Sequence, residues 1–357
     1  MTAQPEYGTM ASLWRRYDNM PRQLAFQAQT IEEWKTWREL LHARLVALLG
    51  GFPLESPPLQ PQVVDTAVTP DYLLEKVAFQ SEPDVYVPCY VLTPRHVKPP
   101  YRVVVSLHGH GTGGAAHTIG RVVSEETRTA EEAFIRSFNY DYSHQLAQRG
   151  FMVVVPEQRG FGERMEKLPD MIQMIGGDPL WKCSCRAESF NAMLLGKTLV
   201  GLRVWDVMRT IDYIASRPEP KVPKLACLGL SGGGTTTLYA AALDPRIDVA
   251  VISGYFNTFR SSIMPIWHCE CNYVPGILQY AEMYDIAGLI APRPLLIESG
   301  TEDILFPVSA TEAAFEKVRQ VYGLLGVPEQ VDKDIYPGGH QFSGRKAFDW
   351  LARWMTE

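Results

Sequence analysis

The run LACLGLSGGGTTTLYAAA, Leu225 to Ala242, decides the fold. An apolar stretch of strand character ends at Leu230, a single serine follows, and beyond three glycines the chain turns polar and helical. In an α/β sheet, ligands bind beyond the carboxyl ends of the strands, and Ser231 stands at such an end. A sharp strand–turn–helix forces its central residue into strained backbone geometry, and neighbours without side chains relieve the clashes. Gly229 and Gly233 supply them in the pattern G-x-S-x-G. The amide of Gly232 opens the helix and is aimed at an anion beside the serine. Taken alone, the pentapeptide fits equally a glycine-rich turn whose serine only caps a helix; the sequence around it decides.

Upstream and downstream, strands and helices alternate. Apolar or β-branched runs at 72–79, 85–92, 102–107, 151–155, 224–230, 249–253, 294–298 and 331–336 read as strands. Helical patterns at 140–149, 190–216, 232–243, 307–324 and 342–355 fall between or after them. Strands apolar throughout imply a mostly parallel eight-stranded sheet with helices on both faces. Two long irregular segments, 156–189 and 254–276, are expected to lie over a site as lid-like insertions. Residues 1–60 read as an N-terminal helical extension and linker. Thr30 and Glu33 make a capping box, Trp34, Trp37, Leu40, Leu41, Leu45 and Leu48 fall at helical spacing, and Gly50-Gly51 closes the helix. Residues 61–357 form the expected catalytic domain.

A serine nucleophile needs a base, the base an orienting carboxylate, and the acyl oxygen hydrogen-bond donors. His340, in GGHQF after the strand at 331–336, is the candidate base. Asp303, in ESGTEDILFP after the strand at 294–298, is the candidate orienting acid, with Glu298 and Glu302 close enough to replace it. The order Ser231, Asp303, His340 is that of an α/β-hydrolase. The loop LHGHGTGG after the strand at 102–107 is expected to supply the second oxyanion donor beside Gly232, from the amide of His110 or else of Gly111.

With HGHGTGG, PEQRGFGER, GLSGGG, ESGTEDILFP and GGHQF in place, the chain resembles the α/β-hydrolase superfamily from about residue 72 onward. It looks most like the branch of serine esterases that holds dienelactone-hydrolase-like proteins and acetyl xylan esterases. Two positions depart from the acetyl xylan esterases, His110 where they tend to carry tyrosine and Gly232 where they commonly carry glutamine. The resemblance therefore implies ester hydrolysis without implying carbohydrate deacetylation. It also implies that Arg159-Gly160 holds the site loops, through an ion pair between Arg159 and a nearby acid.

The lid-like segments carry WKCSCR and IWHCECNYVPG, each with a Cys-x-Cys, the second with His268. Structural zinc is usually bound by more widely spaced cysteines, so Cys183, Cys185, Cys269 and Cys271 are expected as small apolar fillers or free thiols, with no metal and no cofactor. Trp181, Tyr255 and Trp267 are expected to wall a small acyl pocket above Ser231, with packing of the loops as the plainer alternative.

The formal charge of -6 over 357 residues, with no Lys/Arg block, argues against nucleic acid or an anionic membrane as partner. A hydrophobic share of 46% suffices for a full core. The N-terminus has no apolar h-region and six cysteines are too few for a disulfide framework, so a cytoplasmic location is expected. The aromatic N-terminal helix is a candidate docking element for a homo-oligomer. Three readings then stand: a serine carboxylesterase acting on short-chain, acetyl-like esters, a serine peptidase of the prolyl-oligopeptidase type without its propeller, and a non-catalytic binding protein on a hydrolase scaffold. The peptidase is disfavoured because 60 N-terminal residues with a helix cannot supply a propeller, and the binding protein because all three catalytic candidates are present.

Overall fold

Alternation along each central strand assigns its residues to two separate cores. In β4 (Val103–Leu107), Val103, Val105 and Leu107 enter one core and Val104 the other. β6 (Leu225–Leu230) does the same, Leu225 and Cys227 on one side, Ala226, Leu228 and Leu230 on the other. Both faces are thus covered, as expected of strands apolar throughout. The computed structural model describes residues 7–111, 113–167, 183–218 and 224–356.

The sheet has nine strands in the order β1-β2-β3-β5-β4-β6-β7-β8-β9. β1 (Gln62–Val68), β2 (Tyr72–Glu82) and β3 (Val85–Pro94) form an antiparallel wing, and β3 joins β5 (Met152–Pro156) antiparallel. From β5 through β4, β6, β7 (Val249–Ser253), β8 (Leu295–Gly300) and β9 (Val331–Tyr336) every pairing is parallel. The ninth strand is β1, absent from the eight expected. It is an edge strand exposed over nearly its whole length, so it lacks the buried alternation that marks a strand in a sequence.

The chain leaves β4 to one side for β5 and to the other for β6. Loops after β4 and β6 therefore diverge and open a crevice between them. Ser231 follows β6, and His108 to Gly111 follow β4.

The helix after the serine, Gly232–Leu243, is buried at every residue. It can press so closely on the sheet because a Cβ on Gly233 would strike the Leu107 carbonyl. The expected long helix at 190–216 is two, Cys185–Leu194 and Leu199–Ser216. Gly196 breaks it with φ +70°, and Thr198 caps the second by accepting from the Gly201 amide at 3.1 Å. Short helices at Met10–Asn19, Gly114–Thr118 and Arg128–Ser137 escape the sequence reading. The helix Ile31–Leu48 is capped by Thr30, whose Oγ1 accepts from Glu33 N at 3.2 Å, but Glu33 Oε2 accepts from Gln29 N at 2.7 Å and not from Thr30 N, so only half of the expected capping box forms. Its Trp37, Leu41 and Leu45 join the larger core. No helix among the described residues is long and apolar enough to cross a membrane.

Candidate active site

Ser231 has φ 57° and ψ -117°, a conformation that a residue with a side chain rarely adopts. Its amide donates to the Ser253 carbonyl at 2.9 Å, and its own carbonyl accepts from Thr235 N at 2.8 Å. These bonds hold the turn between β6, β7 and the buried helix. The serine is left half-exposed at the top of the sheet.

His340 and Asp303 meet at the same end. His340 Nδ1 lies 2.7 Å from Asp303 Oδ2. Asp303 Oδ1 accepts from the amides of Leu305 at 2.9 Å and Phe306 at 3.1 Å, and its residue is buried. The His340 ring stacks on Phe306, centroids 5.6 Å apart. The two rival acids lie elsewhere. Glu302 is exposed, and Glu298 is buried in β8, where Gly344 N donates to its Oε1 at 3.1 Å. Burial raises the Glu298 carboxyl to about 7, with the charge of Asp334 adding to the effect.

The loop after β4 is pinned on three sides. Gly109 N donates to Tyr140 Oη at 2.7 Å, and Tyr142 Oη donates to the Leu107 carbonyl at 2.9 Å. Gln158 donates through its side chain to the His108 carbonyl and through its amide to His108 Nε2, the latter at 3.0 Å. Gln158 Oε1 in turn accepts from Thr236 Oγ1 at 2.6 Å, tying this loop to the helix after the serine. His110 packs over Gly232, since a Cβ there would lie 3.2 Å from His110 Nδ1. The amides of Gly232 and His110 thus belong to one packed corner beside Ser231.

Arg159 forms the ion pair expected of it: Nε and Nη2 donate to Asp206 at 2.8 and 3.0 Å, and Nη2 also reaches Glu82. Arg164 shares Asp206 at 2.7 Å. Despite complete burial, these cations hold the Asp206 carboxyl down at about 2.

The segment after β7 covers the site. Asn272 Oδ1 accepts from Thr235 Oγ1 at 2.9 Å, and Asn272 Nδ2 donates to His268 Nδ1 at 2.9 Å. The His268 ring faces Phe306 at 5.4 Å, and burial depresses its imidazole to about 4. The three expected pocket aromatics separate. Tyr255 is buried against Phe306 with centroids 5.4 Å apart, and Trp181 lies outside the described residues. Trp267 stands fully in solvent. It is therefore no wall of an enclosed pocket but an exposed ring beside the segment that covers His340. Tyr140, Gln158, Thr236, Phe306 and Asn272 were not singled out from the sequence. Gln158, Thr236, Phe306 and Asn272 lie inside motif stretches read for other residues, and Tyr140 lies near none of those motifs.

The two Cys-x-Cys pairs converge. Cys183, Cys185, Cys269 and His110 present donor atoms all within 4.8 Å of one another, the one grouping among the described residues able to hold a metal ion.

Over residues 7–353 the chain matches the Abhydrolase family. It is 25% identical over 321 residues to "Putative hydrolase YtaP" of Bacillus subtilis (strain 168), covering 87% of this chain and 98% of that protein. A shorter likeness, 26% over 172 residues, relates 41% of the chain to 42% of the 4-O-methyl-glucuronoyl methylesterase of Schizophyllum commune. Among solved structures, one described as "a putative acetyl xylan esterase" from Bacteroides fragilis NCTC 9343 superposes with a TM-score of 0.75 at 16% identity, covering 94% of this chain and 84% of that one.

Proposed function

This chain belongs to the Abhydrolase family, and from that premise we propose that it is a serine carboxylesterase hydrolysing short-chain acyl esters. The observation that carries the reading is the His340–Asp303 pair at 2.7 Å, set at the same sheet end as a serine held at φ 57°.

Because Nδ1 is committed to Asp303, His340 has Nε2 free to act as base. It removes the hydroxyl proton as Ser231 Oγ attacks the ester carbonyl. The imidazolium so formed is stabilised by the Asp303 carboxylate, which its two amide donors keep aligned. The carbonyl oxygen becomes an oxyanion facing the amides of Gly232 and His110, at the positive end of a twelve-residue helix. His340 then gives its proton to the departing alcohol, leaving an acyl group on Ser231. A water, deprotonated by the same nitrogen, attacks the acyl carbon. Collapse releases the acid and returns the proton to Ser231.

A sugar ester is the favoured substrate. One relative is named 4-O-methyl-glucuronoyl methylesterase, for an ester whose acyl part is a sugar acid, a solved structure of like fold is described as "a putative acetyl xylan esterase", and Trp267 offers an exposed ring on which a pyranose can stack. The experiment is hydrolysis of p-nitrophenyl esters from acetate to decanoate, with acetylated xylo-oligosaccharides alongside, by wild type and Ser231→Ala. Expected is a short-chain optimum and a loss of at least about 10³-fold in the variant. Equal rates in the two proteins, or no turnover of any ester by either, would refute the reading.

A further inference from the structure

The cysteine cluster is assembled from two chain segments that are distant in sequence and meet beneath the loop after β4. Besides the four donors within 4.8 Å of one another, Cys271 Sγ lies 3.2 Å from Cys269 Sγ and 3.7 Å from His110 Nε2. Cys185 and Cys271 are buried among Phe161 and Leu199, with Cys183 and Cys269 packed against them. Small residues filling a gap have no reason to aim three sulfurs and an imidazole nitrogen at one point.

A second observation is the cation beside them. Arg203 is buried, its ring neighbour Phe161 4.3 Å from Cζ. It reaches no carboxylate within ion-pair distance among the described residues. Its Nε and Nη2 donate to the Arg159 carbonyl at 3.0 and 2.6 Å, and Nη2 lies 3.1 Å from Cys185 Sγ. Arginine cannot shed its charge, and a buried charge without an anion is costly. Cys185 Sγ, which becomes an anion on binding a metal, is the side-chain partner at hand.

We propose that Cys183, Cys185, Cys269 and His110 bind a structural zinc ion in a Cys₃His tetrahedron. Zinc at about 2.3 Å from sulfur and about 2.0–2.1 Å from nitrogen sets ligand atoms about 3.5–3.8 Å apart, a small contraction of the cluster as it stands. Soft thiolates with one imidazole select zinc over magnesium or calcium. Binding releases the three thiol protons and leaves a net charge of about -1 on the centre, which Arg203 neutralises. His110 coordinates through Nε2, the nitrogen facing the sulfurs, while its Nδ1 side packs on Gly232. The ion therefore fastens both lid segments to the loop after β4. The assignment stands on the cluster alone; only its consequence for an oxyanion loop rests on the esterase reading.

The test is elemental analysis of protein expressed in zinc-supplemented medium and purified without chelators. About one zinc per chain is expected, with a Tm that falls on treatment with 1,10-phenanthroline and returns on adding zinc. Cys183→Ser with Cys269→Ser should abolish retention, whereas Cys271→Ser and Cys89→Ser, the latter in β3, should keep the metal. Ser231→Ala should also keep it, so a failed esterase reading leaves this result legible. Three results would overturn the proposal: less than about a tenth of an equivalent of zinc with a Tm indifferent to added zinc, all six cysteines titrating as free thiols in denaturant without reductant or metal release, or disulfides within the cluster. Loss of zinc in Cys271→Ser alone would overturn the Cys₃His assignment. Should the double variant fail to fold, the zinc content and thiol count of the wild type decide.

Discussion

Asp303 divides its carboxylate between His340 and its own loop: Oδ2 lies 2.7 Å from His340 Nδ1, while Oδ1 accepts the amides of Leu305 and Phe306. The acid proposed to orient His340 is thus held by the turn that carries it. Asp303→Asn preserves the shape and one of those acceptor roles, but removes the charge that stabilises the imidazolium and presents the wrong tautomer partner. The kcat for p-nitrophenyl acetate should fall by about 10³–10⁴-fold, with Tm shifted little. A decrease under tenfold would mean that another acid orients His340.

Gly254 sits at φ +55°, and a Cβ there would lie 3.2 Å from His340 Cε1 and 3.1 Å from Leu230 Cδ1. Gly254→Ala therefore strains the backbone, by about 1–2 kcal/mol, and also pushes the base. Urea unfolding should show that loss, and kcat should drop by about tenfold or more with KM nearly unchanged. Wild-type kcat in the variant would show that His340 has room to spare.

The β6–Ser231–helix turn was legible because close packing leaves a residue-type signature: glycine wherever a Cβ would strike backbone. His340 and Asp303 were legible because each follows an apolar strand in a short, turn-rich loop. What remained hidden depends on contacts between segments distant in sequence. Gln158 links His108 to Thr236 only because β5 lies beside β4. Phe306 supports His340 only because β8 and β9 are neighbours. The two Cys-x-Cys pairs look unlike a zinc motif in either segment alone, since the first gives two donors of the proposed site, the second one, and His110 the fourth. β1 was missed for the opposite reason, an edge strand in water carrying no burial pattern at all.

Arg159 is a positioning residue, and stability is its readout. It shares the buried Asp206 with Arg164 and also pairs with Glu82. Arg159→Met should destabilise by about 2–4 kcal/mol in urea unfolding, because an incompletely paired carboxylate remains buried. With its folded pKa depressed to about 2, Asp206 contributes stability that is complete above its unfolded value near 3.8 and lost as pH falls through about 2. The acid limb of the wild-type stability curve should therefore become shallower in the variant. A variant as stable as wild type would make the network incidental.

Trp267 is fully exposed next to His268, whose ring faces Phe306, which in turn stacks on His340. Replacing it with alanine removes no buried area, so Tm should move by less than about 1 °C. If a sugar stacks there, KM for an acetylated xylo-oligosaccharide should rise by about 5–30-fold, the loss of about 1–2 kcal/mol of contact energy, while p-nitrophenyl acetate kinetics stay close to wild type. An unchanged KM for the sugar ester would remove Trp267 from the binding surface.

Glu298 makes the last prediction, one of pH and sign. Burial in β8 raises its carboxyl to about 7 in the folded protein against about 4.5 unfolded. Between those values the folded state binds more protons than the unfolded one, so its contribution makes stability fall as pH rises. Glu282, raised to about 7 by burial, and Asp285, raised to about 6 by burial, add in the same direction. Glu298→Gln keeps the acceptor for Gly344 N and cannot ionise. Urea unfolding at pH 5, 6, 7 and 8 should show the variant gaining on wild type with every step through neutrality, by up to about 3 kcal/mol in total. A wild-type minus Glu298→Gln difference that is flat across the range would mean that Glu298 is ionised in the fold at pH 5 already, and that an unrecognised cation faces it.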